Sequence, residues 1–235
     1  MSWIITGTEK YETDPYRSQV SLLLHGDGTN GSTTITDSSP SPKTVTAFGD
    51  AQISTAQSKF GGSSLAFDGT GDYLQFPDDP SFEFGSSPFT IECFIYLTAL
   101  PDYFDAHVYS ARNDPLQTGV VLAVRTNLKL RFYRGPGLNN LESNSSLQLN
   151  TWHHIAVTRS SNTVTLWLDG INVGSRSLAV SLGSNPIIRI SSVVTDPTSI
   201  PGAFVTGYID DLRVTKGVAR YTSNFTPPTA PFPDI

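Results

Sequence analysis

The stretch Trp152-His153-His154-Ile155-Ala156-Val157-Thr158-Arg159, then Ser160-Ser161-Asn162-Thr163, then Val164-Thr165-Leu166-Trp167-Leu168-Asp169-Gly170-Ile171-Asn172-Val173-Gly174, decides the fold class. Val164, Leu166 and Leu168 alternate with Thr163, Thr165 and Trp167, which is the two-residue period of a strand. A polar turn separates two β-rich runs. Asp169-Gly170 supplies a second turn, because a two-residue hairpin loop needs positive φ at both central positions. Bulky groups stand on both faces of these runs, which predicts a meander in the middle of a sheet covered on both sides.

Outward from this meander the chain reads as further short strands. Residues 20–24 form an apolar run that ends in the turn His25-Gly26-Asp27-Gly28. Residues 44–48 and 52–55 are short candidates. Residues 59–76 read as strand, turn and strand, with Asp68-Gly69 and Gly71-Asp72 at the turn. Residues 89–97 put Phe89, Ile91, Cys93, Ile95 and Leu97 on one face. Residues 119–124 and 128–133 pair across Thr126-Asn127, and 187–191 and 207–215 complete the set. Residues 99–115 and 135–144 read as long polar loops. No stretch carries a 3.6-residue apolar stripe, so the prediction is all-β, an antiparallel sandwich. Residues 1–18, with Trp3, Tyr11 and Tyr16, read as an aromatic arm. Residues 218–235 carry Pro227, Pro228, Pro231 and Pro233, which forbid helix or central strand and predict an extended arm.

Composition narrows the function classes. The 235 residues carry a net charge of -6 and no basic run, which speaks against nucleic acid as a partner. No apolar run approaches the roughly 18 residues of a membrane span, so no membrane insertion is expected. Cys93 is the single cysteine, which excludes an intrachain disulfide and reads as a buried, inert thiol. Met1 to Lys10 lacks a basic start, a long apolar run and a small-residue cleavage site, so no secretory leader is expected there.

Five motifs then occur in a set order: Phe67-Asp68-Gly69 with Asp72-Tyr73-Leu74, Phe89-Thr90-Ile91-Glu92, Trp152 to Arg159, Leu168-Asp169-Gly170, and Gly207-Tyr208-Ile209-Asp210-Asp211-Leu212-Arg213. Over about residues 20 to 217 the chain resembles the laminin G-like branch of the concanavalin A-like lectin/glucanase superfamily. The resemblance implies a jelly-roll of two antiparallel sheets, one concave, with loops gathered at its rim. It gives one domain, residues 19–217, between arms 1–18 and 218–235. Gly217 to Thr222 and Asn224 to Pro228 look like the C-terminal end of such modules in bacteriophage and bacterial surface proteins.

Fold alone does not choose among lectin, hydrolase, adhesion module and virion part. Retaining glycosidases need two carboxylates about 5 Å apart, and relatives with that activity carry them as Glu-x-Asp-x-x-Glu on one strand. Glu9, Glu12, Glu83, Glu92 and Glu142 are the only glutamates and none frames that motif. There is no Gly-x-Ser-x-Gly elbow, and His153 and His154 stand where the family carries a structural Trp-x-His pattern. No catalytic residue is therefore expected. No cofactor is required. The family often holds one calcium at the sandwich rim, for which Asp27, Asp68, Asp72 and Asp210 are the candidates; the same residues also suit Asx turns. Glycan contact needs aromatic platforms beside planar polar groups. Tyr103, Phe104, Tyr109, Arg112, Asn113, Arg134, Asn139 and Asn140, in or beside the two long loops, supply them.

The expected function is a non-catalytic virion surface protein of a bacteriophage: a capsid decoration, fibre or tail component that contacts host glycan. The alternative is a carbohydrate-binding adhesion module of a bacterial surface protein. A virion part leaves the host cytoplasm by lysis and needs no leader. The expected partners are other virion proteins or copies of the chain itself, forming a homo-oligomer through the two arms. The arms are expected to serve assembly and to be dispensable for folding.

Overall fold

The computed structural model describes residues 13–101, 105–111, 119–134, 140–183, 188–192 and 203–235. Among these, fifteen strands form two antiparallel sheets. They are β1 (Val20–Leu24), β2 (Thr46–Phe48), β3 (Gln52–Ser54), β4 (Ser64–Asp68), β5 (Tyr73–Phe76), β6 (Phe89–Leu97), β7 (Ala106–Ser110), β8 (Val121–Val124), β9 (Lys129–Tyr133), β10 (Leu141–Ser146), β11 (Trp152–Ser160), β12 (Thr163–Leu168), β13 (Ile171–Ser177), β14 (Ile188–Ile190) and β15 (Thr206–Lys216). One sheet has eight strands in the order β13-β12-β11-β6-β15-β4-β3, with β1 continuing beside β4 along β15. The other has seven, in the order β10-β9-β8-β7-β14-β5-β2. This is the two-sheet sandwich that the residue pattern predicts. No helix among the described residues is long and apolar enough to cross a membrane.

Alternation explains which side chains meet between the sheets. Leu22, Leu24, Phe89, Ile91, Ile95, Ile155, Val157 and Leu166 enter from the eight-stranded sheet. Leu74, Phe76, Leu122, Leu130, Phe132 and Ile188 enter from the seven-stranded one. Cys93 is buried among them, and burial pushes its thiol well above the usual range. The Asp169-Gly170 turn has φ of 49° and 78°, the two positive values that its sequence demands.

Two strands occupy residues that read as loop. β7 hides its period because its pairing with β8 shifts register between His107 and Tyr109, leaving Val108 as an extra residue. β10 reads Leu-Glu-Ser-Asn-Ser-Ser and lies at a sheet edge, held by backbone pairing with β9 more than by apolar burial. The meander β11-β12-β13 ends at an edge of its sheet, not in the middle.

Both faces of the meander are nevertheless covered, and the outer cover is the chain's own C-terminal segment. Tyr221 and Phe225 stack at 3.6 Å, and Phe225 stands edge-on to Trp167 and His154. The Phe225 amide donates to Gly170 O at 2.9 Å; a Cβ on Gly170 would lie 1.9 Å from Phe225 O, so only glycine admits this approach. Farther along, Phe232 packs with Val20, Leu23 and Phe94, and its amide donates to Asp211 at 2.7 Å. Beneath this cover lies a charged network. Glu92, fully buried, accepts from Arg213 Nε at 2.9 Å, Tyr221 OH at 2.6 Å and His154 Nε2 at 3.3 Å. Asp14 accepts two bonds from Arg220 at 2.9 and 2.6 Å and contacts Arg213 at 3.3 Å. The Asp14 amide donates to Ile235 O at 3.1 Å, so residues 14 and 235 meet on this face. The C-terminal arm is thus packed against the domain, where it was expected only to reach out to neighbours.

Candidate functional site

The outer face of the seven-stranded sheet carries a set of polar and aromatic side chains at its alternate positions. Phe48 and Tyr73 are direct partners across β2 and β5 and stack at 4.5 Å with 8° between their planes. The Arg189 guanidinium lies 4.5 Å over the Tyr73 ring, and Arg189 Nε donates to Gln75 Oε1 at 3.0 Å. These four residues are half-buried and form a ledge of rings, guanidinium and amide. Arg189 pairs with Ser110, Ser110 with Val121, and Ala123 with His107; Ser110, Val121, Ala123 and His107, in the middle of the face, are buried, whereas the Phe48–Tyr73–Arg189–Gln75 ledge is half-buried. On the far side His107 Nε2 and Tyr133 OH are 2.6 Å apart, Arg131 sits 4.7 Å over the Tyr133 ring, and Arg131 Nη1 donates to Asp105 at 2.6 Å.

Among the described residues, Asp105 and Glu142 on this face are both paired with cations. Asp105 accepts from both Arg131 and Arg125. Glu142 accepts from Arg125 at 2.5 Å and lies 3.6 Å from Lys129 Nζ; the Arg125 bond holds it below the usual carboxylate range. The described part of the face thus offers the half-buried Phe48 and Tyr73 rings, the Arg189 guanidinium and the Gln75 amide.

The sequence-derived candidates divide. Tyr103, Phe104, Arg112, Asn113 and Asn139 lie outside the described residues. In sequence, 102–104 precede β7, 112–118 link β7 to β8, and 135–139 link β9 to β10, so all belong to connections of this sheet. Arg134 and Asn140 flank the last of these. Arg134 Nε and Asn140 Oδ1 are both buried without a hydrogen-bond partner, while Asn140 O accepts from Arg176 at 2.7 Å. Tyr109 is a correction: the β7 bulge turns it into the core, where it is fully buried and unavailable to a ligand. Its hydroxyl has no partner, and burial pushes it up. Phe48, Tyr73, Gln75, Arg189, His107 and Arg131 escaped the sequence reading as site residues. The alternation of β5 and β9 separates their faces, but nothing in it says which face meets solvent.

The four calcium candidates do not assemble, which corrects that expectation as well. Asp72 accepts from the Asp50 and Asp68 amides at 2.5 and 2.8 Å, closing the turn between β4 and β5. Asp210 instead accepts from the Lys59 and Phe60 amides at 2.7 and 3.1 Å, with its other oxygen buried and unpartnered. Burial, with the neighbouring Asp211 and Asp27 charges, pushes Asp210 up to about 7 against the pull of those amides. Calcium asks for six to eight oxygens around one point. Among the described residues no three His, Cys, Asp or Glu side chains form such a group.

Comparison with known proteins agrees with this architecture. The family model described as concanavalin A-like lectin/glucanases superfamily matches residues 68–220. A comparison with curated protein sequences returned no significant match. Among solved structures, the binding domain of Paraclostridial Mosquitocidal Protein 1 superposes with a TM-score of 0.64 at 16% identity, over 87% of this chain and 50% of that one. Domain 4 of AbnA, an extracellular arabinanase of Geobacillus stearothermophilus solved with arabinotriose, gives 0.61 at 16% identity, over 85% and 93%. The binding domain of botulinum neurotoxin DC, solved with SialylT, gives 0.58 at 13% identity, over 87% and 50%. The chain spans about half the length of the two toxin chains. At these identities the likeness is one of fold. Its five ordered motifs, its two antiparallel sheets and the match over residues 68–220 together make the chain a member of the concanavalin A-like lectin/glucanase superfamily.

Proposed function

We propose that the outer face of the seven-stranded sheet binds glycan without altering it, and that the chain is a surface component of a bacteriophage virion. The observation that carries the first part is the half-buried ledge of Phe48, Tyr73, Arg189 and Gln75, on the same face as the Arg131–Asp105 and Arg125–Glu142 ion pairs. Rings take the C–H face of a sugar, and guanidinium and amide groups fix its hydroxyls. Structural neighbours solved with arabinotriose and with SialylT support this use of the fold. Arg134, Asn140 and the connections that carry Tyr103, Phe104, Arg112, Asn113 and Asn139 would extend the same face.

The virion reading rests on the likeness of residues 217–228 to the ends of phage and bacterial surface modules. The chain self-associates in this reading. Glycan-array screening of the intact protein tests the binding, with Tyr73→Ala and Arg189→Ala losing signal and bound oligosaccharide recovered uncleaved. Light scattering tests the association: a trimer or larger assembly supports a virion building block. A monomer that still binds glycan transfers the reading to an adhesion module of a bacterial surface protein.

A further inference from the structure

A second binding position lies on the opposite side of the sandwich. On the outer face of the eight-stranded sheet, Gln52, Ala66, Tyr208, Tyr96 and Trp152 are successive partners across β3, β4, β15, β6 and β11. They make one straight row, about 19 Å long at about 4.8 Å per strand. The three aromatic members are only half-buried, with ring centroids 6.1 Å apart for Tyr208–Tyr96 and 5.5 Å for Tyr96–Trp152. Ala66 is the one short side chain in the row. It floors a cleft of about 350 Å³ between Gln52 and Tyr208, ringed by Asp50, Asp68, Thr98 and Thr206. That volume falls within the range of small-ligand sites. The C-terminal arm packs over Phe94, His154 and Trp167, and the cluster around its Phe232 reaches Trp152 at the far end of the row, but no residue of the arm lines the cleft.

The lining selects a chemistry. One wall is an aromatic ring with a hydroxyl, and the rest is carboxylate, amide and hydroxyl. A sugar presents the matching surfaces, since its C–H face is attracted to the negative face of an aromatic ring and its hydroxyl edge donates to carboxylates. Asp50 and Asp68 are exposed, and with the buried Asp72 beside them they leave no cation in the cleft. An anionic sugar would be repelled at this position.

We infer that this cleft is a second carbohydrate site, taking a neutral sugar unit with its ring against Tyr208 and its hydroxyls on Asp50, Asp68 and Gln52. It is independent of the face on the seven-stranded sheet, and the two together would let one chain grip a glycan surface from both sides of the sandwich. The test is two-dimensional amide NMR of the intact protein, titrated separately with saturating glucose, galactose, mannose, arabinose and N-acetylneuraminic acid. At least one neutral sugar should shift the amides of Gln52, Ala66 and Tyr208, and N-acetylneuraminic acid should not. Ala66→Arg, which fills the cleft from its floor, should abolish those shifts, and Tyr208→Ala should weaken them about tenfold. The amides of Gln75, Ala123 and Arg189 report the other face in the same spectra, so loss of either site is read separately. No neutral-sugar shift at the cleft, shifts from the anionic sugar alone, or unchanged shifts in a folded Ala66→Arg protein would overturn the inference.

Discussion

Replacing Glu92 with alanine removes the centre of the network under the C-terminal arm. Glu92 is fully buried and accepts from Arg213, Tyr221 and His154. Without it, Arg213 keeps the 3.3 Å contact with Asp14 and its place 3.8 Å over the Phe232 ring but loses its buried counter-charge, and the Tyr221 hydroxyl loses its acceptor. Breaking a buried ion pair from one side costs about 3–5 kcal/mol. A second route gives a similar size. Burial alone would raise the Glu92 carboxyl, yet Arg213, His154 and Tyr221 bring it from 4.5 down to about 2, which amounts to about 3 kcal/mol of folding stability. Against a total of about 5–15 kcal/mol this is a large share. The melting temperature should fall by roughly 6–20 °C for a chain of this size. Urea denaturation at neutral pH, followed by tryptophan fluorescence, measures it. Because the folded value is depressed, the stabilisation is present above about 4.5 and lost as pH falls towards about 2, so the gap between wild type and variant should close over that window. A loss below about 1 kcal/mol, or a gap unchanged at pH 2, would refute the reasoning.

Asp210→Asn should act in the opposite sense. The folded value of about 7 is raised, so the native state is best served with Asp210 protonated, and roughly 4 kcal/mol of stability is lost as pH rises from 3.8 through about 7. The asparagine should flatten that slope in a urea series and stabilise the protein at pH 8; an unchanged slope would contradict it. Tyr109→Phe deletes a buried hydroxyl that has no partner and should be neutral or stabilising by about 1 kcal/mol in the same assay, whereas a loss would reveal a partner. Truncation after Gly217 uncovers Phe94 and Trp167 and opens the Glu92 network, so it should cost roughly 3 kcal/mol or more and raise binding of a hydrophobic dye. A truncated domain of wild-type stability would show the arm to be a tether after all.

The sandwich was legible because its strands announce themselves twice. β6 and β11–β13 carry both alternation and turn chemistry, and Asp169-Gly170 adopts the positive φ values its residues allow. β7 and β10 escaped because a bulge breaks the period of one and a run of serines hides the other. The same bulge misdirects Tyr109, which a loop reading exposes and the fold buries. The proposed binding face was only half legible. Arg134 and Asn140 stand at its edge, but Tyr73, Gln75 and Arg189 sit on strands whose outward side is decided by sheet pairing. The C-terminal arm shows the same limit. Its prolines predict an extended segment, yet what it covers depends on Glu92, Phe94 and Trp167, far away in sequence.

The measurement that tests the central claim most directly is isothermal titration of the protein with the strongest glycan from an array, for wild type and Arg189→Ala side by side. Binding by the wild type, weakened about tenfold or more in the variant, with the sugar recovered intact, is the predicted result. Equal binding by a folded Arg189→Ala and Tyr73→Ala pair, or cleavage of the sugar, would contradict the account of this face as a non-catalytic glycan-binding surface.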